Sequence, residues 1–367
     1  MDLTHTLPTQ LHVLRASTVD DAADLIAVGG DHSVDVLQVT DNACRQIASF
    51  HIGSRVTAIA WSSNSVSPSS SHNWSIELAA AGDDFGLHLL NKKADSEETV
   101  FPFGGGLSGH HGKVNDMTFC GGWGKDSTRY VATVGDDKML MVWDLHPTVD
   151  IPSHSREVSP SRPQPTAYVI PFSHPLTTVT AHPSTSKEFL VADSRGSVFI
   201  TDWRSDPEDD DRSDLRHSSL IELVDPHALA PNALGHPLPS SGSVAWRADS
   251  TDFIGAVYGS RFSIWDLSSL RGGKPFVTGN TFPDGGHRFR WSLTYPEYFA
   301  ISTRSPAKGA LIHVHNVNYV HAQPTVFAIH PRPHSVQDFD FLAMRGIPRI
   351  AAAVGRTVHI FTIGVDS

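Results

Sequence analysis

The apolar positions of this chain gather in short β-rich runs broken by Gly, Asp and Ser, most plainly in YVATVGDDKMLMVWDL, Tyr130 to Leu145. Val131, Thr133 and Gly135 alternate with Ala132 and Val134, and Met139 to Trp143 form a second run, with the turn-forming Asp136, Asp137 and Lys138 between them. The pattern predicts a hairpin. A lone hairpin is marginal in water, so neighbouring strands are required.

The same succession recurs at intervals of roughly 40 to 60 residues, the spacing of propeller blades. Seven units can be traced. The first runs from Leu11 to Val39. The second, Arg55 to Leu90, is interrupted by the Ser-rich SSNSVSPSSSHN, residues 62–73, expected to be a mobile insert like those near 146–166, 205–214 and 226–242. The third joins GHHGKVNDMTFCGG to the hairpin above. The fourth pairs TTVTAHPS with KEFLVADSRGSVFITDW, and the fifth pairs SGSVAWRAD with DFIGAVYGSRFSIWDL. HRFRWSLTYPEYFAISTRSPAKGALIHVHNV is the sixth, and SVQDFDFLAMRGIPRIAAAVGRTVHIFTI the seventh.

Each unit supplies three strands, and linking segments such as CRQIASFH and TVFAIH supply a fourth. Four-stranded units repeated radially predict an all-β, seven-bladed propeller, a single domain over residues 1–367. The last unit has no sequence left for its outer strand, so the N-terminal residues around His5 to Pro8 are expected to provide it, closing the ring and removing an edge.

The third unit holds the fullest WD-repeat signature: Gly109-His110, Thr133, Asp136 or Asp137, and Trp143-Asp144. His110, Thr133, Asp137 and Trp143 are expected to form a hydrogen-bonded staple across the blade, because buried polar groups must be paired. That role is structural, not catalytic. Other units keep fragments, Trp265-Asp266 in the fifth and the reversed Asp202-Trp203 in the fourth; packing must hold them.

Composition narrows the function classes. With 40% hydrophobic and 18% charged residues the chain reads as soluble and globular. It has no apolar run near the roughly 18 residues that a membrane helix needs, so no membrane insertion is expected. Its N-terminus lacks a basic and then apolar leader, so retention in the cytoplasm or nucleus is expected. Cys44 and Cys120 are the only cysteines, which excludes a disulfide framework and a four-thiolate zinc site; both are expected to be buried thiols. A formal charge of −11 opposes a general grip on nucleic acid.

Several constellations have competing readings. His313 and His315 share a strand face near His321 and could hold zinc, but no acidic or thiolate third ligand is nearby, so solvent-facing histidines are expected. In HRFRW, Arg288 and Arg290 alternate with Phe289 and Trp291; aromatics turned into the sheet and arginines turned out need no nucleic acid. The run SDPEDDDRSD, 205–214, reads as a solvated acidic loop that could meet a basic partner surface. The Pro/Ser-rich 146–166 is too poor in apolar residues to pack and should be a mobile insert, in which Ser159 and Ser161 could accept phosphate. A further insert, 226–242, is apolar enough to lie on the ring or on a partner. No P-loop, nucleophile elbow or HExxH motif is present. No cofactor, metal or small-molecule substrate is expected.

The order of SRVTAIAWSS, SGHHGKVNDMTF, VGDDKMLMVWDL, TTVTAHPSTSKEFLVADSRGSVFITDW, FIGAVYGSRFSIWDLSS and HRFRWSLTYPEYFAISTR resembles, unit by unit, the nucleoporin thirty-seven family. These are small WD-repeat subunits of the Y-shaped complex in the outer rings of the nuclear pore. The most specific part is FRWS, Phe289 to Ser292, followed by EYFAIST. The inserts are of a kind common in fungal members. The resemblance implies a non-enzymatic scaffold at the nuclear envelope. Its implied partners are the large arm nucleoporin of the one-sixty or one-twenty type and an ELYS-like chromatin-linked factor.

The family has no short interface motif to carry over, so the candidate contacts are the acidic Asp206, Asp209, Asp210 and Asp211 and the apolar Leu229, Leu234 and Leu238. The rival is a cullin ubiquitin ligase substrate receptor. Such receptors carry Trp-Asp-x-Arg, whereas Trp143-Asp144 is followed here by Leu145-His146 and Trp265-Asp266 by Leu267-Ser268. A third class, a propeller enzyme, requires a cluster of carboxylates or histidines facing the channel.

Overall fold

The computed structural model describes residues 3–147, 163–204, 220–227, 242–270 and 272–364. The excluded segments hold Asp206, Asp209, Asp210, Asp211, Leu229, Leu234 and Leu238, together with Ser159 and Ser161, so these candidates lie outside the described residues.

The chain begins with β1 (Leu3–Thr6) and then builds blades of four antiparallel strands in sequence. The first blade is β2 (Val13–Ala16), β3 (Leu25–Gly29), β4 (Ser33–Val39) and β5 (Cys44–His51). The second is β6 (Val56–Trp61), β7 (Ser75–Gly82), β8 (Leu87–Lys93) and β9 (Thr99–Phe103). The third is β10 (Val114–Phe119), the one-turn α1 (Asp126–Arg129), β11 (Tyr130–Gly135), β12 (Met139–Asp144) and β13 (Thr166–Pro171). The fourth is β14 (Leu176–Ala181), β15 (Glu188–Asp193), β16 (Val198–Asp202) and β17 (Leu220–Leu223). The fifth is β18 (Gly242–Trp246), β19 (Phe253–Tyr258), β20 (Arg261–Asp266) and β21 (Val277–Asn280). The sixth is β22 (Arg288–Trp291), β23 (Tyr298–Ser302), β24 (Ala310–Asn316) and β25 (Thr325–His330). The seventh has β26 (Val336–Phe341), β27 (Arg349–Val354) and β28 (Thr357–Thr362), and takes β1 as its outer strand.

Each blade's first strand touches the first strands of its two neighbours, and the series returns from β26 to β2. The fold is therefore an all-β, seven-bladed propeller. Closure pairs the chain's two ends, Leu3 opposite Ile360 and Thr6 opposite Thr357, a few residues earlier than the sequence placed it. Leu3 and the buried Leu7 pack at the seam, in a cluster shared by the first and last blades.

Apolar packing lies between blades, in seven clusters, each built from two neighbours. The FRWS stretch shows why its departure from the common repeat fits its place. Phe289 stacks on Phe299 at 5.0 Å and reaches over Gly255 of the fifth blade, where an added Cβ would meet the ring at 2.2 Å. Most of the tight turns between second and third strands use a left-handed residue. Gly196, Gly259 and Gly355 supply it in three blades, and Phe85 and Lys138, at φ 69° and 68°, in two others.

Two expectations are corrected. The Ser-rich 62–73 is not a free insert: Ser62, Ser65 and Ser67 are buried, and Gln38 and Ser69 hydrogen-bond to Ser67 Oγ. Its many serines pair with backbone and with each other, so polar composition did not prevent packing. Cys120 is buried as expected, but Cys44, at the start of an outer strand, is only half-buried; burial still pushes its thiol up to about 11.

Candidate functional site

The strand register gives the ring two rims. One, here the mouth rim, holds the starts of first strands and the turns joining second to third strands, as the pairing of Val114 with Gly135 requires. The opposite rim holds the ends of first strands and the connections from third to fourth strands, as the pairing of Asp144 with Thr166 requires. By the same register, β16 ends and β17 begins on the opposite rim, so the acidic run is rooted there. The apolar 226–242 is rooted on the mouth rim, between Leu223 and Gly242.

In the third blade the four signature residues meet. His110 Nδ1 lies 2.8 Å from Asp137 Oδ2 and His110 Nε2 lies 2.7 Å from Thr133 Oγ1, which also accepts from Trp143 Nε1 at 3.0 Å. Asp137 further accepts from the backbone N–H of His111 and Met139. Burial works against its charge, but the His110 hydrogen bond and these N–H groups hold its carboxyl below the usual carboxylate range.

A second polar system, absent from the sequence reading, lines the inner strands. Asp116 accepts from Val179 N, Thr178 from Val244 N, Ser243 from Phe289 N and Asp338 from Leu14 N, so each ties its blade to the next. The signal was present in NDMTF, TTVTA, GSVAW and QDFDF, where a small polar or acidic residue recurs near the start of the first strand. These residues interrupt the apolar runs that define the blades, so the apolar pattern alone hides them.

Charges knit this system across the centre. Arg15 reaches Asp116 at 2.6 Å and Asp338 at 3.1 Å, joining the first blade to the third and seventh. Arg288 lies 3.4 Å from Asp338, and Arg290 lies 3.8 Å from both Asp338 and Asp340. The expectation that these arginines turn outward is overturned: Arg288 and Arg290 are buried among the carboxylates of β26. First strands of a propeller face neighbouring blades and the centre, not solvent, so alternation there does not sort inside from outside.

A carboxylate cluster therefore does face the centre, but its oxygens are taken. Asp116 Oδ1 and Oδ2 receive Arg15 and Val179 N. Asp338 receives Leu14 N, Arg15 and Phe339 N. Asp340 receives Ala16 N and Phe341 N. Burial opposes the charge of Asp338, yet Arg15, Arg288 and Arg290 hold it below its usual range, whereas burial leaves Asp340 raised.

The histidines of β24 are not solvent-facing either. His313 stacks on Phe282 at 3.8 Å, and His315 lies flat on Phe299 at 4.9 Å, pulled down to about 4 by burial and then by His313. Among the described residues no group of three His, Cys, Asp or Glu is placed to hold a metal ion.

Exposed apolar groups are spread round the ring, Leu107, Phe276, Tyr319 and Ile347 among them, and the largest is a tryptophan. On the opposite rim, Trp123 projects from the loop after β10 with 96% of its surface exposed, and Val169, Leu220 and Ile221 are exposed on the outer strands of the same two blades. Beneath it Arg204 bonds Asp126 at 2.9 Å, and Tyr130 meets Trp203 edge-on at 5.0 Å.

A closed ring of seven four-stranded blades, with a His-Thr-Asp-Trp chain in one of them, is a WD-repeat β-propeller. No family model matches the sequence. The proteins named Nucleoporin Nup37 of mouse and human are 24% and 23% identical over 319 and 317 residues, in each case 83% of this chain and 80% of the relative. Together with the ring, this makes the chain a Nup37-like WD-repeat protein. An uncharacterized WD repeat-containing protein of Schizosaccharomyces pombe is 28% identical over 137 residues, covering 36% of this chain and 31% of that one. Among solved structures, Chaetomium thermophilum Raptor superposes with a TM-score of 0.66 at 13% identity, covering 99% of this chain and 29% of Raptor, a likeness of fold alone.

Proposed function

We propose that this protein is a non-enzymatic scaffold nucleoporin of the outer ring of the nuclear pore. In this reading it docks on the large arm nucleoporin, sits at the nuclear envelope and supports pore assembly and nucleocytoplasmic transport, with an ELYS-like factor as a further partner. The observation that carries the reading is the similarity to mouse and human Nucleoporin Nup37 along most of both chains. The occupied carboxylates at the centre support the non-enzymatic part, since none offers an unpaired oxygen to a substrate.

The docking surface we assign to the opposite rim of the third and fourth blades, where an almost fully exposed Trp stands beside the root of the acidic run 205–214. Large aromatics held ready at a surface are the usual anchors of protein contacts. Affinity purification of the tagged protein at moderate salt, with mass spectrometry of what remains bound, tests the reading. Recovery of large helical outer-ring nucleoporins is expected. Recovery of a cullin adaptor in their place would refute the pore assignment.

A further inference from the structure

Independently of the pore reading, we propose that the mouth of the central channel is a binding site for a small polyphosphate. The mouth opens into a cavity of about 660 Å³, within the size range of small-ligand sites. Its wall is polar and cationic although the chain as a whole carries −11. Arg55 and Lys113 stand on the side of the second and third blades, and Arg288 and Arg304 face them from the sixth, with His287 beside them.

Counter-charge in the wall is limited and already engaged. Asp83 accepts from the backbone of Arg55, Asp136 is bonded by Asn115, and His12 pairs with Asp31. Among the described residues Lys113 and Arg304 have no carboxylate within ion-pair distance, and the buried His287 has an unpartnered Nδ1 on the cavity wall. Enclosure and the charges of Arg304, Arg288 and Arg55 hold Lys113 below its usual value, with Asp136 opposing; burial and the neighbouring Arg304, Arg288, Arg290 and Lys113 depress His287 well below its own. Burial is the larger cause of both shifts and the neighbouring cations add to it; Arg288 and Arg55 are partly offset by Asp338 at 3.4 Å and Asp83 at 4.0 Å, so the excess of positive charge rests on Lys113 and Arg304.

The cavity draws its lining from the mouth side of all seven blades, so its cations stand on opposite walls. One compact anion would satisfy one wall. A ligand with several phosphates satisfies both, accepts charge-assisted bonds from the guanidinium forks and gives the His287 Nδ1 an acceptor or donor.

Calorimetric titration of the purified full chain with tripolyphosphate at low salt tests this. Saturable binding with one site is expected, weakened about tenfold or more in Lys113→Ala with Arg304→Ala, unchanged in Lys93→Ala, and much tighter than binding of inorganic phosphate. The substituted side chains are exposed, and an unchanged thermal midpoint verifies folding. In the unmodified protein the His287 ring resonances should shift on titration, a readout that needs no variant. Absence of saturation, an isotherm indifferent to the double variant, a silent His287, or equal affinity for inorganic phosphate would each overturn the proposal. So would binding of hexaglutamate through the same residues without tripolyphosphate binding, which would assign the cavity to an acidic protein segment.

Discussion

His110 illustrates how one side chain can serve two partners only in the right surroundings. Both ring nitrogens are engaged, one by Asp137 and one by Thr133, and the ring itself is buried. We assign this chain the role of a blade staple, and His110→Ala tests it by leaving the Thr133 hydroxyl and the Asp137 carboxylate short of a partner. The expected loss is about 1–3 kcal/mol of unfolding free energy, read from denaturant midpoints. The acid limb carries the sign. A carboxyl held below its usual range contributes stability above that range, and loses it as pH falls through the depressed value. The limb should therefore be shallower in His110→Ala than in the unmodified chain. An identical midpoint and limb would remove the staple role.

Elements were more legible than contacts. Period, turn residues and the spacing of units sufficed for the blades, because each strand needs only the right local alternation and a turn. The outer strand borrowed from the N-terminus was legible by subtraction, as the seventh unit ran out of chain; its pairing at Leu3–Thr6 differs from the expected His5 to Pro8 because pairing to β28, not composition, sets the register. What could not be read was tertiary: Arg288 and Arg290 look like surface residues until Asp338 and Asp340 of another blade stand beside them. Closure also makes a prediction. Removing residues 1–8 leaves β28 with an open edge and withdraws Leu3 and Leu7 from the seam. A lower thermal midpoint is expected, with faster amide exchange confined first to β27 and β28, and concentration-dependent oligomers by light scattering. Unaltered exchange in β28 would show that the ring closes without its velcro strand.

At the scale of the molecule, the ring separates two chemistries onto two rims. The mouth rim gathers Lys113, Arg288 and Arg304 around a polar cavity, while the opposite rim of the third and fourth blades offers Trp123, with Leu220 and Ile221 on the neighbouring outer strand. A stiff ring transmits little from one rim to the other, because its blades are locked pairwise by inner-strand hydrogen bonds and by Arg15 across the centre. The two surfaces should then fail separately. Trp123→Ala with Leu220→Ser removes apolar groups already exposed, so the thermal midpoint should hold, yet loss of an anchor of this size weakens a protein contact by about 2 kcal/mol or more, roughly thirtyfold. Co-purification of the proposed large helical partner should fall accordingly, whereas Lys113→Ala with Arg304→Ala should leave it intact. The reverse pattern would move the docking surface to the mouth rim, beside the root of residues 226–242, and leave Trp123 without a partner.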